Sequence, residues 1–424
     1  MLSTLIFALT MIVLTILVVF SKSSKVENCS DFLSGNRSFN TFEVTSIIVG
    51  TLVGGASTVG TVQMAYNYGF AGVIFTLGSA IACFILGVFM AKPLHDENIV
   101  TVSGFLGKFL GEKFLKFSSF FSTLGIFIHT VAQLMAGGAI ISAFFKIELK
   151  IGTFFSAILV LLYAITGGVK GSSVIGKIKI GVIYVVMTIS CVIIYQKSGF
   201  HFLKNLPKDV EWFSIFSYGY KKGMYDIFFM VIGVLSTQVY LQAIFSAKNR
   251  ESAQYGAILS GIVILPVGFM GSFVGMYMRT VKDFKGNTAS VFPDFINTFL
   301  PENLATIFLA FILFIILGTT SGLVTGVTTN IYKDFIKSTK ESVGKLRLIT
   351  FAVVLFSYII MAMDFQSLIL KWSYMSMGLR GGSVFIPLVT LLFFGKKTSL
   401  RKYNPIFYIV FGVIISLYIF YPFK

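Results

Sequence analysis

The chain has 424 residues, 56% of them apolar and only 12% charged, with a net charge of +17 and a mean hydropathy of +0.87. A soluble domain carries about 25% charged residues, so this composition excludes a water-soluble enzyme and points to an all-α integral membrane protein. The excess of Lys and Arg belongs to loops at a membrane face and does not call for nucleic acid as a partner.

Apolar runs long enough to cross a bilayer, about 17–25 residues each, fall near 1–20, 43–66, 71–91, 116–145, 151–166 and 175–196. After a polar stretch at 197–222 they continue near 224–246, 254–278, 303–331, 346–363, 366–393 and 404–421. This predicts about twelve transmembrane helices. The first run has no basic leader and no small-residue cleavage site, so it reads as a retained span and not a signal peptide. With residue 1 outside, 21 of the 34 Lys and Arg fall on cytoplasmic loops, 12 fall outside, and Arg380 lies within a span. The expectation is a multi-pass plasma-membrane protein with both chain ends outside. The extramembrane stretches are too short to bury a core of their own.

The second run carries Gly54-Gly55-Ala56-Ser57-Thr58-Val59-Gly60-Thr61 in its middle. Glycines and hydroxyls at membrane depth weaken the helix, and loose backbone survives there only inside protein or along a wet cavity. The run at 224–246 is interrupted in the same way, at Leu235-Ser236-Thr237-Gln238. Two discontinuous helices in matching positions point to the binding site of a transporter built as an inverted repeat. The halves would be 43–196 and 224–393, with extra helices at 1–20 and 404–421.

Five stretches carry a family resemblance. Asp31-Phe32-Leu33-Ser34-Gly35-Asn36-Arg37-Ser38, then Gly54 to Gly60 followed by Ala65-Tyr66-Asn67-Tyr68-Gly69, resemble the entry to the first core helix of the sodium:solute symporter family and that helix itself. Tyr163 to Gly168 is similar to the family's Gly-Gly turn before the fifth core helix, Gln242 to Lys248 to the close of the sixth, and Gly318 to Asp334 to the eighth. The resemblance covers roughly residues 31–400. It implies a leucine-transporter-like core of five plus five helices and solute uptake coupled to sodium, with no organic cofactor.

Carried onto this chain, the family's sodium site would use the carbonyls of Ala56 and Val59, the carbonyl of Ile315, and hydroxyls at Gly318 and Thr319. Sodium would be the one metal bound. Glycine at 318 offers no hydroxyl, although Thr320 and Ser321 stand close by. The fifth core helix departs as well: the family's Asp corresponds to Gly176 and its Gln to Lys179, within Ile175-Gly176-Lys177-Ile178-Lys179. Lys179 is therefore a candidate to place its ammonium in the cation site and replace sodium, which would make a proton the coupling ion, because a buried lysine shifts its pKa readily. The alternative is that Lys177 and Lys179 both snorkel to the cytoplasmic surface.

The solute, a small polar molecule, is expected between the two breaks. Candidate contacts are Ser57 and Gln63 at the first break, His129 and Gln133 in the span 116–145, Ser236 and Gln238 at the second break, and Arg380. Each polar side chain could instead bond a neighbouring helix, and His129 could carry a proton. Intramembrane charges usually mark function, and a guanidinium suits a carboxylate, so Arg380 favours an anionic or zwitterionic solute over a role in binding backbone carbonyls. Scattered cysteines and histidines imply no metal cluster and no disulfide. No paired acids or His cluster supports a membrane-embedded enzyme, no phosphate-binding loop supports an ATP-driven pump, and no filter-like repeat supports a channel. The partners are the bilayer and the solute. The oligomeric state, monomer or homo-oligomer, stays open.

Overall fold

The computed structural model describes residues 2–21, 26–97, 99–282, 288–336, 342–363, 369–393 and 414. Apart from residue 414, the expected span 404–421 lies outside the described residues. In chain order the longer elements are α1 (Leu2–Val19), α2 (Cys29–Ser34), α3 (Thr41–Leu52), α4 (Thr61–Tyr68), α5 (Ile74–Ile85), α6 (Ala91–His95), α7 (Val102–Leu110) and α8 (Glu112–Phe145). They continue with α9 (Leu149–Ser198), α10 (Tyr220–Ser236), α11 (Gln238–Phe245), α12 (Arg250–Val281), α13 (Val291–Phe299), α14 (Glu302–Asn330), α15 (Val343–Ala362) and α16 (Ile369–Phe393). By length and composition seven of the described helices can cross a membrane, and an eighth if the bent pair α10–α11 counts as one. Leu2–Val18, Thr41–Leu52 and Leu149–Ile165 are shorter apolar helices. The protein is a multi-pass membrane protein.

Local chemistry sets where the helices begin and break. Asn40 and Glu43 form a reciprocal cap at the start of α3, which satisfies N–H groups that a helix end leaves orphaned. That helix ends at Val53, whose backbone is extended (φ −86, ψ 94), and resumes as a wide turn at Ala56–Gly60 before α4. The freed backbone is answered from nearby: Ser57 Oγ accepts from Gly54 N–H at 2.8 Å, and Thr58 Oγ1 donates to Gly54 O at 2.7 Å. Between α10 and α11 only Thr237 is non-helical, and the axis bends by 43°.

The runs expected at 151–166 and 175–196 lie on two helices, Leu149–Ile165 and Gly167–Ser198, which meet within α9 at a kink at Gly168 (φ 49, ψ −139). A side chain there would meet Phe32 O at 2.7 Å, so the positive φ and the close approach of α2 both require glycine.

At the centre stands α14, with 89% of its apolar window buried, against 28% for the peripheral α15. Around α14 pack α1, α3, α8, α9, α11 and α15. Hydrogen bonds tie neighbouring elements together at both ends of the breaks. At one end Gln63 and Asn67 reach Thr288 Oγ1 (3.1 and 3.3 Å) and Tyr66 Oη donates to Lys282 O (3.0 Å). At the other, Lys248 N–H donates to Phe39 O (2.8 Å) and Arg37 to His95 O (2.8 Å).

Candidate functional site

Two clusters of buried polar groups flank the breaks. The first lies where the last turn of α3 meets α9 and α14. Lys179, 1% exposed, donates from Nζ to Gly50 O at 2.6 Å and to Thr319 Oγ1. The Thr319 hydroxyl in turn donates to Val53 O at 2.9 Å, with Gly50 O at 3.1 Å. Glycines make the room. A Cβ on Gly318 would strike Ile175 Cγ2 at 2.5 Å and stand 3.6 Å from Lys179 Cδ, and one on Gly54 would overlap Thr319. The helices α3 and α9 touch backbone to backbone: a Cβ on Gly50 would lie 2.8 Å from Gly176 Cα, and one on Gly176 would lie 1.9 Å from Ser46 O.

The carbonyls that Thr319 bonds are not the ones expected at the cation site. The two carbonyls three residues apart that face Thr319 belong to Gly50 and Val53, six residues before Ala56 and Val59. Ala56 O faces Thr61 Oγ1 instead. The reason is that α3 ends before the glycines, so its last free carbonyls precede Gly54. Ile315 lies one turn before Thr319 on α14, and Gly318 contributes space. The two lysines separate: Lys177 reaches Glu43 Oε1 at 2.8 Å near the surface, while Lys179 points inward. Sodium needs several oxygens, and with the ammonium between Gly50 O and Thr319 these residues do not fit it.

The second cluster is a row of side chains from one break to the other. Arg380, on α16 and fully buried, donates from Nη1 to Thr237 Oγ1 (3.0 Å), from Nη2 to Ser376 Oγ (2.8 Å), and from Nε to Ser376 O (3.1 Å). Its Nη2 also faces His129 Nδ1 at 3.3 Å. His129 Nε2 meets Gln133 Nε2 at 3.1 Å, and Gln133 Oε1 accepts from Gly55 N–H at 2.9 Å. Glycine at 125 lets Arg380 pass, since a Cβ there would lie 2.7 Å from Arg380 Cγ. Among the described residues no carboxylate lies within ion-pair distance of Arg380 or Lys179.

Counting donors along this row gives a mismatch. Arginine only donates, so His129 Nδ1 accepts and the neutral ring keeps its proton on Nε2. Gly55 N–H takes up the Gln133 oxygen, which turns the Gln133 NH₂ toward that ring N–H. Two donors face each other, and flipping the amide moves the conflict to Gly55. The row is one acceptor short.

The remaining candidates scatter. Ser57 caps the first break, and Gln63 donates to Thr288 Oγ1. Gln238 is held by loop backbone, donating to Val100 O (2.8 Å) and accepting from Val102 N–H (2.9 Å). Ser236 Oγ is buried with no partner. Sequence reasoning missed Ser376 and a third cluster in which Asp334, 4% exposed, accepts from Thr101 Oγ1 (2.7 Å) and Ser119 Oγ (2.6 Å). The signal for Asp334 was its place at the end of the Gly318–Asp334 motif.

A family model described as the sodium:solute symporter family matches residues 32–401. The chain belongs to that family. The uncharacterized symporter YwcA of Bacillus subtilis is 21% identical over 413 residues, covering 92% of this chain and 80% of that protein. The sodium/pantothenate symporter of Haemophilus influenzae is 24% identical over 359 residues, covering 80% and 73%. Among solved structures, a Na⁺-coupled sialic acid symporter in a substrate-bound outward-open state superposes with a TM-score of 0.73 at 13% identity, over 99% of this chain and 96% of that one. At that identity the likeness shows the fold. This family member is a secondary transporter and not an enzyme.

Proposed function

We propose that this symporter-family protein takes up a small organic solute bearing a carboxylate, and that the Lys179 ammonium stands where relatives hold sodium, so that protons drive uptake. The observation that carries the coupling is the Lys179 Nζ placed between Gly50 O and Thr319, with glycine at 318 beside its side chain. A lysine there can gain and lose a proton as its surroundings open and close, which is what a coupling site must do. Arg380 supports the solute class. It is a buried cation with no carboxylate partner among the described residues, in a row short of one acceptor, and a carboxylate is acceptor throughout. Two of the relatives, by name, move sialic acid and pantothenate.

In this reading the halves 43–196 and 224–393 form the five-plus-five repeat and rock about the two breaks. The positive-inside count puts both chain ends outside the plasma membrane. The test is uptake of labelled monocarboxylates, sugar acids, amino acids and neutral sugars by proteoliposomes, with a sodium gradient alone or a proton gradient alone. The expected outcome is acid uptake under the proton gradient with no requirement for sodium. Uptake that demands sodium overturns the coupling, and preference for a neutral sugar overturns the solute class.

A further inference from the structure

Outside both clusters, α8, α14 and α15 enclose a groove of about 530 Å³, within the roughly 300–1,000 Å³ range of small-ligand sites. Its walls include Phe120 and Phe127 of α8, Ile331 and Phe335 at the end of α14, and Val353 and Phe356 of α15. The one hydroxyl on the lining, Thr123 Oγ1, accepts from Asn330 Nδ2 at 3.1 Å, so the groove offers a polar solute nothing to bond. Phe120, Phe335 and Phe356 on its walls are exposed, which makes an alkyl chain its natural content.

The helix register then says which kind of lipid. Residues three and four apart share a helix face. On α8 this stacks Lys116 under Phe120, Leu124 and Phe127, and on α15 it stacks Lys345 under Ile349, Val353, Phe356 and Ile360. Both lysines are exposed and stand at the same end of the groove, where α8 and α15 begin and α14 ends. The three helix ends there, 112–116, 331–335 and 343–347, carry Lys113, Lys116, Lys333, Lys345 and Arg347. Against these stand Glu112, in an exposed pair with Lys116 at 3.2 Å, Asp334, buried on hydroxyls, and Glu341, four residues before Lys345 in the sequence. An exposed pair of that kind holds its lysine weakly. The mouth is basic and the interior apolar, so we infer that this groove binds one anionic glycerophospholipid, with an acyl chain along α8, α14 and α15 and its phosphate at Lys116 and Lys345. The chain's own apolar stretch at 404–421 fits less well, because it follows Lys396, Lys397, Arg401 and Lys402 and would bring like charge to a basic mouth.

The test is native mass spectrometry of the full-length protein released from detergent containing equal phosphatidylglycerol and phosphatidylcholine. The wild type should retain one phosphatidylglycerol at about tenfold preference over phosphatidylcholine. Lys116→Gln with Lys345→Gln should bring that preference near parity, and Ala352→Trp, which fills the groove from its wall, should remove the retained lipid. Equal retention of both lipids by the wild type overturns the inference, as does unchanged retention in Ala352→Trp. So does a lipid-free protein, whether a second copy or residues 404–421 take up the groove.

Discussion

Replacing Lys179 with Ala empties the space beside Gly318 and leaves Gly50 O with the Thr319 hydroxyl at 3.1 Å as its remaining side-chain donor. Truncating a long buried side chain to Ala costs about 2–5 kcal/mol. The one Thr319 hydroxyl proton can serve Gly50 O or Val53 O but not both, so one buried carbonyl loses its side-chain donor and the loss should fall within that range. The vacated position is faced by two carbonyls and a hydroxyl, the oxygen ligands that hard cations take. An ion that binds the folded protein alone stabilises it by about 2.7 kcal/mol at a hundred times its Kd, so sodium should return most of what the substitution removes. The assay is thermal unfolding of purified protein in sodium chloride and in N-methylglucamine chloride at equal ionic strength. The wild type should unfold at the same temperature in both. The variant should unfold earlier without sodium and recover with it. A wild-type midpoint that rises with sodium would refute the reasoning, since the ion and the ammonium cannot share one position.

Further outcomes follow from the second cluster and the packing. Arg380→Lys keeps the charge but loses the fork; with about 1.5–3 kcal/mol for each hydrogen bond to a charged group, KM for the carboxylate solute should rise by roughly one to two orders of magnitude in proteoliposome uptake, while Arg380→Gln should abolish saturable uptake. Gly125→Ala presses a methyl 2.7 Å from Arg380 Cγ and 2.9 Å from Ser376 O; overpacking of this kind costs about 1–3 kcal/mol and should lower the unfolding midpoint together with solute affinity. Gly176→Asp, which would restore the family's acid, meets Ser46 O at 1.9 Å, and the expected result is loss of folded protein on size-exclusion chromatography rather than sodium coupling. For Asp31 on α2, burial pushes the carboxyl up, but the Lys170 ammonium and the backbone N–H groups of Glu27 and Asn28 outweigh it and hold the pKa below its ordinary 3.8. A depressed carboxylate stabilises above its unfolded pKa, and that contribution fades as pH falls through the lower folded value. Lys170→Met should therefore cost stability at pH 7 and converge on the wild type under acid, read as unfolding midpoint against pH.

Both breaks were legible because glycines and hydroxyls at membrane depth have few other uses. The departures at Gly176, Lys179 and Gly318 were legible too, as three changes that make sense together: two side chains removed and one long cation added. What the sequence hid was register. The glycine run marks where helix geometry fails, yet the carbonyls freed by that failure lie on the turn before it, at Gly50 and Val53, in a stretch with no unusual residue. Side-chain direction was hidden as well. Gln63 and Gln238 sit beside the breaks in sequence but turn to Thr288 and to the Val100–Val102 backbone. The turn at Gly167-Gly168 was legible, because a glycine pair between two apolar runs marks the place where Gly168 takes a positive φ and one helix gives way to the next.

The contact of Gly50 with Gly176 has a kinetic consequence. Where Gly50 meets Gly176 the two backbones touch with no side chain between them, so relative motion of α3 and α9 has nothing to unlatch at that point. Resistance comes from side chains that bridge the same seam, Lys179 on the Gly50 carbonyl and Lys177 on Glu43. Removing Lys179 takes away one of these latches and should lower the temperature coefficient of exchange across the membrane even where solute affinity is untouched.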